Sequence, residues 1–415
     1  MATSAMAEDP QWAKLIATNH SCHNPFVRIL MSAGEASGEA YGAKLMEALR
    51  HQAAQRGESS PLEFFGVGGQ QMHDAGCDLI VDAQQIAVVG LAEVVEHLPR
   101  IYRRFRDVVR QAEGRKPDAA ILIDFPDFNF RLAKELHTRG IPVIYYVSPQ
   151  LWAWRPSRIE LVRKYVRKML VIFPFEEKFY RQRGIEAEFV GHPLVDLPVQ
   201  WMRREQFAAE HQLDAHREWI ALLPGSRRGE VSRIFPTLLE AAQLLGPDYV
   251  YTVPVASTLD SEWIASFLRR YSGPSVRFTR DARTTLKYAR VAAIASGTST
   301  LEAALIGTPF TMVYRVAPLT WSLGRRLVRV DRFAMVNLIA ERDVVVELVQ
   351  EEFSADRVAG ELQRLLPEGG ARAAMLAEFR DVRHKLEPGE AEASPSERAA
   401  RAVFRVLDGR MENQA

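Results

Sequence analysis

The stretch Ser296-Gly297-Thr298-Ser299-Thr300-Leu301-Glu302 sets a glycine and small hydroxyl residues between an apolar run, Ala292–Ala295, and the helical spacing of Leu301, Ala304 and Leu305. A strand that feeds such a turn into a helix leaves backbone N–H groups unpaired at the helix start. The positive end of the peptide dipoles stands behind them, and together they seat a phosphate. Ser296, Gly297, Thr298 and Thr300 are the candidate phosphate contacts, and Glu302 is placed to accept from the hydroxyls of a ribose. The same pieces recur in ordinary α/β turns, where a glutamate near a helix start is favoured by the dipole alone, so the motif needs support elsewhere. Gly225-Ser226-Arg227 provides some: it follows the apolar run Trp219–Leu223, opens a helical pattern carrying Ile234, Leu238 and Leu239, and adds a cation beside the seat.

The N-terminal half offers acid–base chemistry. The apolar run from Pro117 to Ile123 ends at Asp124-Phe125-Pro126-Asp127-Phe128-Asn129. The carboxyl ends of parallel strands face a ligand crevice, so Asp124 and Asp127 are the candidate general bases. Helix capping is the structural alternative for Asp127 or Asn129. Glu35 is a third candidate base, in the turn Ser32-Ala33-Gly34-Glu35-Ala36-Ser37-Gly38-Glu39 that follows Phe26–Met31; Gly34 and Gly38 there allow close approach of a ligand or tight strand–helix packing. The turn is not G-x-G-x-x-G, which argues against a dinucleotide cofactor. Past the run Ile141–Val147, the two tryptophans Trp152 and Trp154 with Arg155 suggest a sugar platform or a phosphate contact, although aromatic packing between domains would read the same way. Asn337 adds an amide donor in a late loop.

These residues need strands and helices to carry them. Apolar strands alternate with helical spacing at Phe26–Met31, Leu62–Val67, Pro117–Ile123, Ile141–Val147, Met169–Phe173 and around Phe189, five or six parallel strands in all. The rhythm breaks between about Leu194 and Arg217 and resumes at Trp219–Leu223, Asp248–Val253, Ser275–Phe278, Val291–Ala295 and Phe310–Tyr314. A chain of 415 residues exceeds one ordinary core. The expectation is therefore α/β: two Rossmann-like doubly wound domains facing a central cleft, which resembles the arrangement of a B-type glycosyltransferase.

Composition narrows the class. A net charge of +1 gives no general pull toward nucleic acid. Cys22 and Cys77 are the only cysteines, too few for a disulfide framework or a cysteine zinc site, and a reducing compartment fits. The start of the chain lacks the pattern of a signal peptide, and no run approaches the roughly 18 apolar residues of a spanning helix. A cytoplasmic protein with at most peripheral membrane contact is expected. One segment could make that contact: Ile86, Val88, Val89, Leu91, Val94, Val95 and Leu98 precede a basic cluster of Arg100, Arg103, Arg104, Arg106 and Arg110. An ordinary core stripe would look similar. A second basic cluster comprises Arg325, Arg326, Arg329 and Arg332.

Taken in order, Ser32–Gly38, Gly90-Leu91-Ala92-Glu93-Val94, Asp124–Asn129, Tyr146–Pro149 through Trp152–Arg155, Gly191-His192-Pro193, Leu223–Arg227, Ser296–Glu302 and Asn337-Leu338 resemble the successive motifs of the lipid-A-disaccharide synthase family. The resemblance runs from about Val27 to Leu365. It implies an inverting, metal-independent transfer from UDP-2,3-diacylglucosamine to 2,3-diacylglucosamine 1-phosphate, giving the β-1,6-linked disaccharide 1-phosphate and UDP, without a cofactor. It further implies work on the inner face of a Gram-negative inner membrane, and leaves a homodimer open. The domains expected on this basis are an N-terminal extension (1–25), an acceptor- and membrane-facing domain (26–200), a UDP-sugar domain (201–372) and C-terminal helices (373–415) able to cross back to the first domain. Asp124, Asp127 and Arg227 are then expected to be catalytic. Gly225, Ser226, Arg227, Ser296, Gly297, Thr298, Thr300, Glu302 and Asn337 would bind the nucleotide, and Gly34, Glu35, Ser37, Gly38, Ser148, Trp154 and Arg155 the acceptor. Acyl chains raise the weight of the membrane reading for Ile86–Leu98. The chain departs from the family at Glu39, where an aspartate is usual, and in the charged run Glu341-Arg342-Asp343. Another enzyme using UDP-N-acetylglucosamine, a 2-epimerase or the peptidoglycan transferase, is the alternative reading, as is a non-catalytic nucleotide- and membrane-binding protein.

Overall fold

The computed structural model describes residues 26–58, 60–86, 91–153, 156–196, 201–256, 259–317, 321, 332–387 and 393–412. Two parallel sheets form the frame. The first comprises β1 (Val27–Ala33), β2 (Leu62–Gly68), β3 (Cys77–Asp82), β4 (Ala119–Ile123), β5 (Val143–Tyr146), β6 (Lys168–Val171) and β7 (Ala187–Phe189), in the order β3-β2-β1-β4-β5-β6-β7. The second comprises β8 (Trp219–Leu223), β9 (Val250–Pro254), β10 (Val276–Thr279), β11 (Ala289–Ala295), β12 (Phe310–Tyr314) and β13 (Glu347–Val349), in the order β10-β9-β8-β11-β12-β13. Near-continuous apolar runs form the central strands because helices cover both faces: every residue of β4, β8 and β9 is buried.

Two short strands escape the sequence pattern. β3 is Cys-Asp-Leu-Ile-Val-Asp, an edge strand whose charges hide its period, and β13 has only three residues. In each sheet the winding reverses at one point, between β1 and β4 in the first and between β8 and β11 in the second. Crevices open beyond the carboxyl ends of strands at such switch points. The four turns located there are Gly34–Glu35, Asp124–Phe125, Gly225–Arg227 and Ser296–Gly297, which brings the chemistry-bearing motifs to the two facing edges.

The chain crosses between domains twice. The first crossing precedes the helix Arg204–Glu210, and the second follows the helix Gly370–Leu386, whose Phe379 stacks on Phe310 of β12. A division at residue 373 would therefore cut a helix that belongs with the second domain. The last helix, Pro395–Glu412, lies against the first domain's helix Ala36–Gln55 and is pinned there by Arg56–Asp408 (2.9 Å) and Arg405–Glu188 (2.6 Å) ion pairs. The two crossings are bonded to each other, since the His192 N–H donates to the Leu386 carbonyl at 3.0 Å.

Candidate active site

A cavity of about 640 Å³ opens between the domains, with Glu35, Ser37, Tyr41, Asp124 and Trp152 on one side and Arg227, Ser296, Gly297 and Thr298 on the other. Asp124 owes its position to an unusual turn. Asp124 and Phe125 both sit in the left-handed region (φ 45° and 49°), a conformation costing non-glycine residues about 1–3 kcal/mol each. Buried side chains hold it: Asn129 Nδ2 donates to the carbonyls of Asp124 (2.8 Å) and Ile123 (3.2 Å), and the Tyr145 hydroxyl donates to the Asp124 carbonyl at 2.6 Å. The Ser32 hydroxyl donates to Asn129 Oδ1 at 2.7 Å, tying β1 to the same knot. Asn129 is thus a fastener of the turn. Gly34 is required next to it, because a Cβ there would run into the Phe125 ring. Gly38 has no such constraint, its added Cβ meeting Ile123 at an ordinary 3.5 Å.

Burial raises the Asp124 carboxyl to about 6, and the charge of Glu35 pushes in the same direction. Asp127 lies outside the cavity lining, exposed on the helix Pro126–His137 and paired with Arg158. The two aspartates are three positions apart and occupy different environments.

Arg227 reaches toward the first domain. Its guanidinium is 3.8 Å from Glu35 and 3.7 Å from Glu230, forming a loose bridge across the cleft. Gly225, at φ 111°, makes the turn that delivers it, and Ser226 follows, exposed before the helix Arg228–Leu245. Ser296, Gly297 and Thr298 line the cavity at the start of the helix Thr298–Ile306, but Thr300 is fully buried and its hydroxyl closes the turn onto the Gly297 carbonyl (2.8 Å). Its side chain is therefore outside the cavity lining, whereas the sequence suggests a phosphate contact. Glu302 is half-buried behind this wall, 3.9 Å from Arg283, with its carboxyl raised chiefly by burial and Arg283 opposing. Tyr41, from the first domain, feels the charges of both Asp124 and Glu302.

Asn337 also departs from its expected role. Its amide donates to the Val345 carbonyl (2.9 Å) and Glu347 (2.8 Å), and its oxygen accepts from the N–H groups of Val344 (2.8 Å) and Val345 (2.9 Å). A side chain so fully engaged and 1% exposed has no donor left for a nucleotide. The Ser148 hydroxyl is likewise engaged, 2.6 Å from the Tyr180 hydroxyl and 2.9 Å from the Pro149 carbonyl. Trp154 and Arg155 lie outside the described residues. Ile86 is buried in the first domain's core, which removes it from the membrane set. Val88 and Val89 lie outside the described residues, as do the side chains of Leu91, Val94, Val95 and Leu98. Further along that helix, Leu91–Arg115, Val108 and Val109 are buried while Arg100, Arg103, Arg106 and Arg110 are exposed with Tyr102.

Several residues around the site have surroundings that their local sequence does not show. Glu176 is completely buried, receives hydrogen bonds from Trp152 Nε1 (3.0 Å) and the Phe173 N–H (3.2 Å), and is raised to about 8 by burial, which favours its neutral form behind the first domain's wall of the cavity. His192 lines the cavity but burial lowers it to about 3, so it is neutral there. Glu39, the family departure, accepts from the Gln71 N–H at 2.5 Å, which assigns its carboxylate to an adjoining helix start. Among the described residues no three His, Cys, Asp or Glu side chains converge as metal ligands, and no helix is long and apolar enough to cross a membrane.

The lipid-A-disaccharide synthetase family model matches residues 29–402. The lipid-A-disaccharide synthase of Koribacter versatilis is 58% identical over 381 residues, 92% of this chain and 98% of the relative. Among solved structures, S. aureus MnaA with UDP superposes with a TM-score of 0.62 at 11% identity, covering 92% of this chain and 97% of that one. The calicheamicin glycosyltransferase CalG4 superposes at 0.54 with 16% identity, covering 92% and 98%. These two likenesses bear on the fold, two Rossmann-like domains about a cleft.

Proposed function

The chain belongs to the lipid-A-disaccharide synthetase family, and from that premise, which makes it a glycosyltransferase of lipid A disaccharide synthesis, we propose how its cleft does the work. The donor is UDP-2,3-diacylglucosamine, the acceptor 2,3-diacylglucosamine 1-phosphate, and the product the β-1,6-linked disaccharide 1-phosphate with UDP. The acceptor 6-hydroxyl attacks the anomeric carbon in one displacement while UDP departs from the opposite face, which inverts the configuration.

Asp124 takes the hydroxyl proton as the new bond forms. A general base works best with its pKa close to the working pH, and the raised value of Asp124 fits that need, whereas Asp127 lies outside the cavity and pairs with Arg158. Arg227 and the N–H groups of the Ser296–Thr298 turn offset the negative charge that grows on UDP. The single observation behind this reading is that Asp124 and Arg227, from the switch points of opposite sheets, line one cavity. Both substrates are greasy, and the exposed arginines of the helix Leu91–Arg115 support a peripheral contact with anionic head groups on the cytoplasmic face of the inner membrane.

The direct test is to mix the two monosaccharide substrates with the protein and look for the disaccharide 1-phosphate by mass spectrometry. Disaccharide with stoichiometric UDP is expected. Release of UDP without an acceptor, or no disaccharide from both substrates together, would sink the reading.

A further inference from the structure

One wall of the cleft has no part in the chemistry above. Tyr314, Trp321, Phe333, Met335 and Leu338 all line the cavity from the second domain, each half-buried. Phe333 is at the centre, with the Tyr314 ring stacked at 6.4 Å and the Trp321 ring at 6.0 Å. The patch is braced from behind by hydrogen bonds to its backbone. Glu347 accepts from the N–H groups of Phe333 and Ala334, both at 2.9 Å, and also from Asn337. Asn337 in turn clamps the Val344–Val345 backbone, and the Ser296 hydroxyl donates to the Phe333 carbonyl at 3.4 Å. The wall is therefore continuous with the phosphate turn and presented rigidly to the cavity.

We propose that this wall seats an acyl chain of the donor sugar, and that Asn337 and Glu347 are positioning residues which hold it in place. The inference rests on the donor assignment made above. Topology favours an acyl chain over the uracil ring as occupant. Glu302, the ribose candidate, pairs with Arg283 on the helix Ala282–Tyr288, which packs on β8, β9 and β11, whereas the wall follows β12 on the far side of β11. A sugar leaving the diphosphate at Ser296 toward β12 carries its acyl groups onto Phe333. Each methylene withdrawn from water onto such a surface favours binding about fourfold.

The experiment uses the full chain with Trp321→Ala and Phe333→Ala, measuring donor and acceptor KM, kcat, and UDP affinity by calorimetry. The KM for the acylated donor is expected to rise about tenfold or more, the loss of roughly two methylenes of burial, with UDP affinity within about twofold of wild type and acceptor KM unchanged. Asn337→Asp, which loses the amide's donation, is expected to move donor KM in the same direction with kcat held. A parallel fall in UDP affinity would assign the wall to the uracil and overturn the proposal. A rise confined to acceptor KM would overturn it by giving the wall to the other substrate, and an unchanged donor KM in both aromatic variants would overturn it outright. Trp321 is on the cavity surface, and a wild-type melting temperature for its variant separates a local loss from misfolding. Should wild-type protein make no disaccharide, the donor assignment itself fails, which is a distinct result.

Discussion

The turn after β4 and the turn after β8 face each other across the cleft and are built on opposite principles. Asp124 sits in a left-handed backbone held by Asn129, Tyr145 and Ser32, so the turn that carries its carboxylate is fixed. Arg227 stands on a glycine turn with a half-exposed side chain and two loose ionic contacts near 3.7–3.8 Å. A base must meet its proton within hydrogen-bond reach, and rigidity serves that; a cation that follows charge from donor to leaving group is served by reach. The contrast fits the proposed proton transfer by Asp124 and charge compensation by Arg227.

Five substitutions can break or sharpen that contrast. Asp124→Asn should lower kcat by ~10²–10⁴, the usual contribution of a general base, while Asp127→Asn, which weakens an exposed pair with Arg158, should stay within about threefold of wild type. Comparable losses in steady-state assays of both would erase the distinction between them. Arg227→Ala should lower kcat by ~10²–10³ and weaken UDP binding; wild-type turnover would remove the cation from the leaving-group role. Asn129→Ala tests the fastening itself. It leaves the buried Asp124 carbonyl with fewer donors, which should destabilise the protein by about 1–3 kcal/mol in chemical denaturation and reduce kcat more than KM. The smallest expected effect concerns pH. Asp124 must be ionised to act, so kcat/KM should fall as pH drops through about 6. Glu35→Gln removes a neighbouring negative charge, so its acid limb should move to lower pH. An unmoved limb would mean that Glu35 does not act on Asp124.

The same carboxyls leave a mark on stability. Asp124 and Glu176 have folded values raised above those of the unfolded chain, from 3.8 to about 6 and from 4.5 to about 8. The stability they allow is complete below the unfolded values and is lost as pH rises through the folded ones. Glu176→Gln should flatten the decline in melting temperature between about pH 5 and 8, the window set by that shift.

How much could be read from the chain alone follows from how local each signal is. The turns at Ser32–Glu39, Asp124–Asn129, Gly225–Arg227 and Ser296–Thr298 combine apolar strand, small residues and helix within a dozen positions or so, and the winding rule then placed them at a crevice. Asn337 reads as a donor in any loop because its four partners are visible only once the loop is folded. Glu176, in Phe-Glu-Glu-Lys, looks like a solvated helix start, and only tertiary packing shows it buried against Trp152. Ile86 belonged by pattern to an interfacial stripe and by packing to the core.

The two crossings between domains, bonded His192 to Leu386, act as a pair of adjacent tethers. A single linker would let one half swivel freely over the other, whereas two side by side suppress twisting and leave a jaw-like swing as the principal freedom. Separations between labels on the two lips, recorded with and without UDP, should then vary along one coordinate. Independent changes at the two ends of the cleft would show that the tethers do not share a pivot.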